Sequence, residues 1–220
     1  MLTHEQSDTL TEVFNAGVIK AGVALTNLVG HQVRMQVPLV GVTDFTDLHN
    51  CLGIGNDLQL VSVCQQFCGT MDGYALLLLS RESGDALTNR LTGSDPGTAP
   101  AEAERSETLL EVGNILINGI LGTIANTVGD RFEYQVPVYR EGSLPLIIGI
   151  SSCAANCSIG DSHSLYARAQ FDIDEARVIG SILILLTAGG FDRLIGLVDG
   201  LRGQAKATAS GGAAPQTPVK

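Results

Sequence analysis

Two stretches of this chain carry the same helical alternation of apolar and polar positions. Across residues 4 to 29, Leu10, Phe14, Gly17, Ala21, Ala24 and Leu28 recur at three- and four-residue intervals and share one face, while Asp8, Glu12 and Asn15 line the opposite one. Across residues 102 to 128, Leu109, Val112, Leu116 and Ile120 form the apolar stripe. There Glu107, Glu111 and Asn114 repeat the polar line, and Asn118 extends it. The first helix is predicted to open on a Thr3/Gln6 capping box, and the second follows Pro100 with Glu102 and Glu104 in its first turn. Gly30 and Gly129 stand where each should stop.

The two stretches belong to an internal repeat. Glu-x-x-Asn occurs only at Glu12/Asn15 and Glu111/Asn114, and each Asn is followed, after 22 intervening residues, by Pro38 or Pro137. The segments aligned on these pairs, ending Gln36-Val37-Pro38 and Gln135-Val136-Pro137, match without a gap at an offset of 99 residues (Asn15 to Asn114). Later the offset is 107 (Leu76 to Leu183), so the second half holds eight additional residues (107 minus 99), expected between Arg140 and Ser164.

Strands are expected near 32 to 37, 58 to 66 and 73 to 80, then 132 to 139, 165 to 173 and 177 to 187, with short helices near 83 to 92 and 189 to 202. The predicted fold class is α/β of the α+β type: two pseudo-symmetric helix-plus-three-strand repeats sharing an antiparallel sheet, with the long helices outside. One domain, 1 to 203, holds both repeats (4 to 92 and 102 to 202) across a linker at 92 to 100. Residues 204 to 220, small and polar, are expected to be a disordered tail.

Charge and composition narrow the partners. A formal charge of -10 without any Lys/Arg cluster argues against nucleic acid. The polar start lacks a signal peptide's basic and apolar regions, and the longest apolar run, Val178 to Phe191, is too short for a bilayer. The expectation is a cytoplasmic monomer without membrane contact. An odd count of 5 cysteines fits reduced thiols. Cys64/Cys68 and Cys153/Cys157 share a C-x3-C spacing, so a thiol or metal sensor is one competing reading. Buried free thiols are the commoner outcome, and no metal is expected on this chain.

A carboxylate and an amide on an exposed helix, with no nucleophile or metal set nearby, make a poor pocket. They suit insertion into a site on another protein. An amide can both donate to and accept from one water, and a carboxylate can pair with a partner's lysine. Orienting a water is what phosphoryl transfer asks of a protein when a metal already balances the charge. Glu and Asn are ordinary on a solvated helix face; duplication at identical spacing is what raises these pairs above that.

These residues resemble the CheC/CheX/FliY phosphatases of chemotaxis, whose motif is Asp or Ser, three residues, Glu, two residues, Asn, about 22 residues and Pro. The first copy matches at Asp8, Glu12, Asn15 and Pro38. The second matches at Glu111, Asn114 and Pro137, with Glu107 in place of Asp or Ser. Two copies without a flagellar-switch domain make the chain most similar to the CheC branch. The resemblance implies a hydrolase acting on the phosphoaspartate of a CheY-type response regulator in two-component signalling. Asn15 and Asn114 would align the hydrolytic water, and Glu12 and Glu111 would pair with the regulator's lysine. Asp8 and Glu107 would be supporting contacts.

The resemblance also implies that magnesium arrives on the regulator, and it brings in CheD as a candidate partner. Pro38 and Pro137 are read as shaping strand ends. The family's glycine before Asn is kept at Gly113 but is Phe14 in the first copy, a residue that either packs in the core or obstructs docking. The alternative to catalysis is an adapter that binds a receiver domain or a CheD-type deamidase.

Overall fold

The computed structural model describes residues 2–30, 32–38, 40–44, 47–55, 58–129, 131–153, 163–173 and 176–210. The long helices form where the alternation places them, α1 at His4–Val29 and α4 at Glu102–Val128, with the shorter α3 at Arg81–Thr92 between them. Gln6 N–H donates to Thr3 Oγ1 at 3.2 Å and Thr3 N–H to Gln6 Oε1 at 2.9 Å, completing the capping box. Both helices end on a left-handed glycine, Gly30 at φ 75° and Gly129 at φ 70°.

The first half adds β1 (Val33–Gln36), β2 (Val40–Asp44), β3 (Leu60–Cys68) and β4 (Gly73–Ser80); the second adds β5 (Glu133–Tyr134), β6 (Val138–Gly142), β7 (His163–Ile173) and β8 (Ala176–Leu186). Among the described residues each half thus has four strands rather than the expected three. Pro137 splits the strand expected at 132 to 139 into β5 and β6, because a proline has no N–H to give a ladder, whereas in the first half β2 lies beyond the expected strand and Pro38 stands between it and β1.

The order is β1-β7-β8-β4-β3-β5, with β2 also on β7 and β6 also on β3, and every described pairing is antiparallel. The repeats are therefore interleaved. Each half's short strands pair with the other half's long strand, and β4 meets β8 at the centre, Gly73 opposite Leu186. The first strands after α1 and α4 end up at the two edges of one sheet.

Two short helices complete the fold, α2 (Leu48–Leu52) and α5 (Leu144–Cys153), both unforeseen in the sequence. They supply Leu48, Leu52, Leu144, Ile147 and Ile148 to a cluster on the sheet face away from α1 and α4, with Leu76, Leu78, Leu183 and Leu185. A continuous apolar strand needs both faces covered, and these helices cover the second. α5 is twice the length of α2, which accounts for part of the inserted residues; residues 154–162 lie outside the described part. The last helix, α6 (Ala188–Ser210), runs beyond Gly203, where the sequence reading placed the start of a disordered tail. Residues 204 to 210 include Gln, Lys and three Ala, which favour helix; residues 211–220 are outside the described part.

α1 and α4 lie antiparallel on the main core face and cross where neither carries bulk. A Cβ on Gly17 would sit 2.7 Å from the Ile120 Cα, and one on Gly119 would sit 3.0 Å from the Gly17 carbonyl oxygen. α4 is the one helix among the described residues long and apolar enough to cross a bilayer, but 56% of its apolar window is buried inside the protein.

Matching positions clamp the first turn of each long helix. Gln6 Nε2 donates to Asp199 of α6 at 3.0 Å. Arg105, its counterpart 99 residues on, is 1% exposed and donates to Asp85 of α3 at 2.8 Å and to Glu141 of β6 at 3.1 Å. Tyr139 O–H donates to the same Glu141 at 2.6 Å. Burial alone would raise the Glu141 carboxyl. Hydrogen bonds from Tyr139 and Arg105 and the charges of Arg81 and Arg105 outweigh it, so Glu141 ionises below the ordinary glutamate range. Burial, together with the bond to Glu141, pushes Tyr139 up to about 12.

Gly17→Val should destabilise by about 1–3 kcal/mol, read as a lowered melting temperature, because the clash is with backbone. Gly200→Ala, in open space on α6, should be neutral or stabilising by up to about 1 kcal/mol. Because the folded-state pKa of Glu141 is depressed, its contribution is present above the ordinary value of 4.5 and lost as pH falls through the lower folded value. Melting temperatures followed downward in pH should show that loss in the wild type and a shallower one in Glu141→Gln.

Candidate functional site

The outer surface of the α1/α4 pair carries both polar lines. Asp8, Glu12, Glu107 and Glu111 are exposed, and Asn15 and Asn114 are half-buried one turn from their glutamates. The buried stripe of α4 is the predicted one, Leu109, Val112, Leu116 and Ile120. On α1, Leu10, Phe14, Gly17 and Ala21 are buried, but Ala24 is exposed and Leu28 is 55% exposed. Leu28 lies on the predicted side, yet the end of α1 overhangs a cleft instead of the sheet. That cleft, about 800 Å³, is bounded by Leu28 and Val29, by Leu91 and Thr92 of α3, and by Glu104, Glu107 and Glu111 of α4. The second motif therefore stands on the rim of a cavity with one apolar and one acidic wall.

Phe14 is fully buried in the same core cluster as Ala167 and Ala169 of β7. It points into the protein, so it leaves the outer surface beside Asn15 clear. Gly113 at the matching position lies hard against β3, where a Cβ would meet the Val63 side chain at 2.5 Å.

The two asparagines have the same sequence spacing and different bonds. Asn15 Oδ1 accepts from Val37 N–H at 2.8 Å, and Asn15 Nδ2 donates to Val37 O at 2.8 Å and to Thr11 O at 3.0 Å. The amide thus pairs with both backbone groups of the buried residue that precedes Pro38. This gives the Asn-to-Pro spacing of the first copy a structural meaning. In the second copy the counterpart of Val37, Val136, is 82% exposed, and the chain before it is held by β3: Gln135 N–H donates to Gln66 O at 3.0 Å. Asn114 takes one bond, from Asn118 Nδ2 to its Oδ1 at 2.8 Å. Its own Nδ2 has no protein partner among the described residues.

The supporting positions differ as well. Asp8 Oδ2 lies 2.8 Å from His4 Nδ1, both exposed, whereas Glu107 lines the cleft. Pro38 is exposed and Pro137 half-buried, each between two strands. Sequence reasoning noticed Asn118 without giving it a role and passed over Arg105. The available signals were the extra polar residue on the second helix and the Gln6-to-Arg105 replacement at identical repeat positions.

Among the described residues no three His, Cys, Asp or Glu side chains gather as a metal site. Cys64 is buried in the outer-face cluster and Cys68 is half-buried on the same strand. The side chains of Cys153 and Cys157 fall outside the described part.

No family model matches the chain. It is 26% identical over 139 residues to CheC1 of Halobacterium salinarum, spanning 62% of this chain and 69% of the relative. FliY of Thermotoga maritima superposes with a TM-score of 0.70 at 12% identity, over 90% of this chain and 98% of that one. The FliM middle domain from H. pylori does so with a TM-score of 0.58 at 10% identity, over 89% and 99%. The structural neighbours share the fold, the CheC1 relative shares sequence over 139 residues, and both repeats carry the Glu-Asn-Pro pattern: the chain is similar to CheC in sequence and to FliY in fold.

Proposed function

We propose that this chain is a chemotaxis phosphatase that hydrolyses the phosphoaspartate of a CheY-type response regulator, acting mainly through Glu111 and Asn114. The observation that carries the reading is the state of the second motif: an exposed carboxylate and, one turn later, an amide whose Nδ2 is unengaged, on an outward helix face beside an open cleft. The Halobacterium salinarum relative, provisionally named CheY-P phosphatase CheC1, supports the same substrate class.

In this scheme α4 docks over the regulator's phosphorylation site. Glu111 pairs with a lysine there, and the Asn114 amide accepts from the attacking water while donating to a phosphoryl oxygen. The water oxygen bonds to phosphorus as the bond to the aspartyl oxygen breaks, giving inorganic phosphate and a free carboxylate. The divalent metal that balances the charge belongs to the regulator. Glu12 and Asn15 form the second candidate site, and Asn15 would have to release Val37 before it could serve a water. Asp8 and Glu107 contribute charge at the edges of the two surfaces.

The test follows loss of phosphate from a phosphorylated CheY-type regulator with substoichiometric wild type, Asn15→Ala, Asn114→Ala and the double variant. Asn114→Ala should slow turnover by about 100-fold, the scale of losing one positioned polar group at a transition state, and the double variant should abolish it. Regulator that binds but decays at its own rate with wild-type protein would replace this reading with the adapter. Thermal unfolding of the same variants should show the opposite ranking. Asn15→Ala strands the N–H and C=O of a buried residue and should cost about 1–3 kcal/mol, whereas Asn114→Ala should cost under about 1 kcal/mol.

A further inference from the structure

We infer that Asn118 is a positioning residue for Asn114: its side-chain donor sets which way the Asn114 amide faces and thereby the rate of the chemical step. The inference rests on the phosphatase reading and adds a residue to it. An asparagine amide turns about a broad, nearly two-fold torsion, so an unrestrained Asn114 would present its oxygen and nitrogen to a partner in either order. The 2.8 Å bond from Asn118 Nδ2 to Asn114 Oδ1 removes that ambiguity. One lone pair of the oxygen is used, the other remains for a water, and both Nδ2 protons stay free among the described residues.

Two features separate this bond from incidental helix-surface pairing. Asn118 Oδ1 is buried and has no partner in the protein, so the residue leaves an acceptor unsatisfied. A position that served packing alone would take an apolar side chain. The matching position in the first copy carries no donor: Ile19, 99 residues earlier, is 58% exposed. There the Asn15 amide is restrained instead by Val37, which engages its oxygen and its nitrogen together. Each copy restrains its amide, but only the restraint from Asn118 leaves the water-binding groups available.

Steady-state dephosphorylation with Asn118→Leu, Asn118→Asp and Asn118→Gln tests this, alongside thermal unfolding and side-chain amide NMR. The Leu variant should lower kcat between about 10- and 100-fold with KM for the phosphorylated regulator nearly unchanged, and should not lower the melting temperature. The Asp variant, which only accepts, should lose at least as much, since it pulls Nδ2 of Asn114 inward. The Gln variant keeps a donor and should recover part of the rate. In the wild type, the Asn118 side-chain amide signal should shift on Asn114→Ala but not on Asn15→Ala.

A Leu variant with wild-type kcat, or one whose defect lies wholly in KM or in stability, overturns the role of Asn118 while leaving the phosphatase intact. A wild type that leaves phosphate loss unaltered overturns the phosphatase reading and the catalytic role of Asn118 with it. The two failures are told apart by the wild-type rate alone.

Discussion

The close crossing of α1 and α4 governs what this protein can present to a partner. Without side chains at Gly17 and Gly119 the two helices approach until backbone meets backbone, and both also bury a stripe against the sheet. A helix with one side on a sheet and an edge on its neighbour has only its outer face left. Because the turn is 3.6 residues, Glu12 and Asn15 on α1, and Glu111 and Asn114 on α4, are carried to that face together. The antiparallel crossing also sets the end of α1 beside the first turns of α4. That is how Leu28 comes to share a cleft with Glu107 and Glu111.

Interleaving ties the two repeats together beneath the motif helices. Neither repeat can form its edge without the other's long strand, so the two halves depend on one another for their backbone hydrogen bonds. The start of each long helix is fixed separately, through Gln6 and Asp199 in one half and through Arg105, Asp85 and Glu141 in the other. A buried guanidinium is costly unless its protons are matched to acceptors, and two carboxylates meet that need here. The motif glutamates lie within two turns of these clamps.

The repeats have diverged in how they use one pattern. In the first, a polar residue on α1 acts as a backbone partner for the segment that enters β2, and Pro38 follows directly. In the second, that segment is held by β3 through Gln135, Val136 is left outside, and Asn114 is freed from structural duty. The exchange of Phe14, buried in the main core, for Gly113, packed close against Val63, is a divergence in the core as well. Symmetry of sequence therefore does not carry over to symmetry of hydrogen bonding.

Helical extent, caps, the buried stripe of α4 and the outward placement of the Glu-Asn pairs were legible in the sequence alone, because each rests on interactions within a few turns of one helix. The repeat itself was legible as a fixed offset, and with it the shared antiparallel sheet. The strand breaks at Pro38 and Pro137, the interleaved order, the covering helices α2 and α5 and the cleft beside Leu28 were decided by the tertiary structure. Periodicity tells which side of a helix is apolar but not whether a neighbour reaches that side along its whole length. Likewise the spacing from Asn to Pro is a distance along the chain. Whether it closes on Val37 or stays open at Val136 depends on which strand captures the segment, a competition between contacts far apart in sequence.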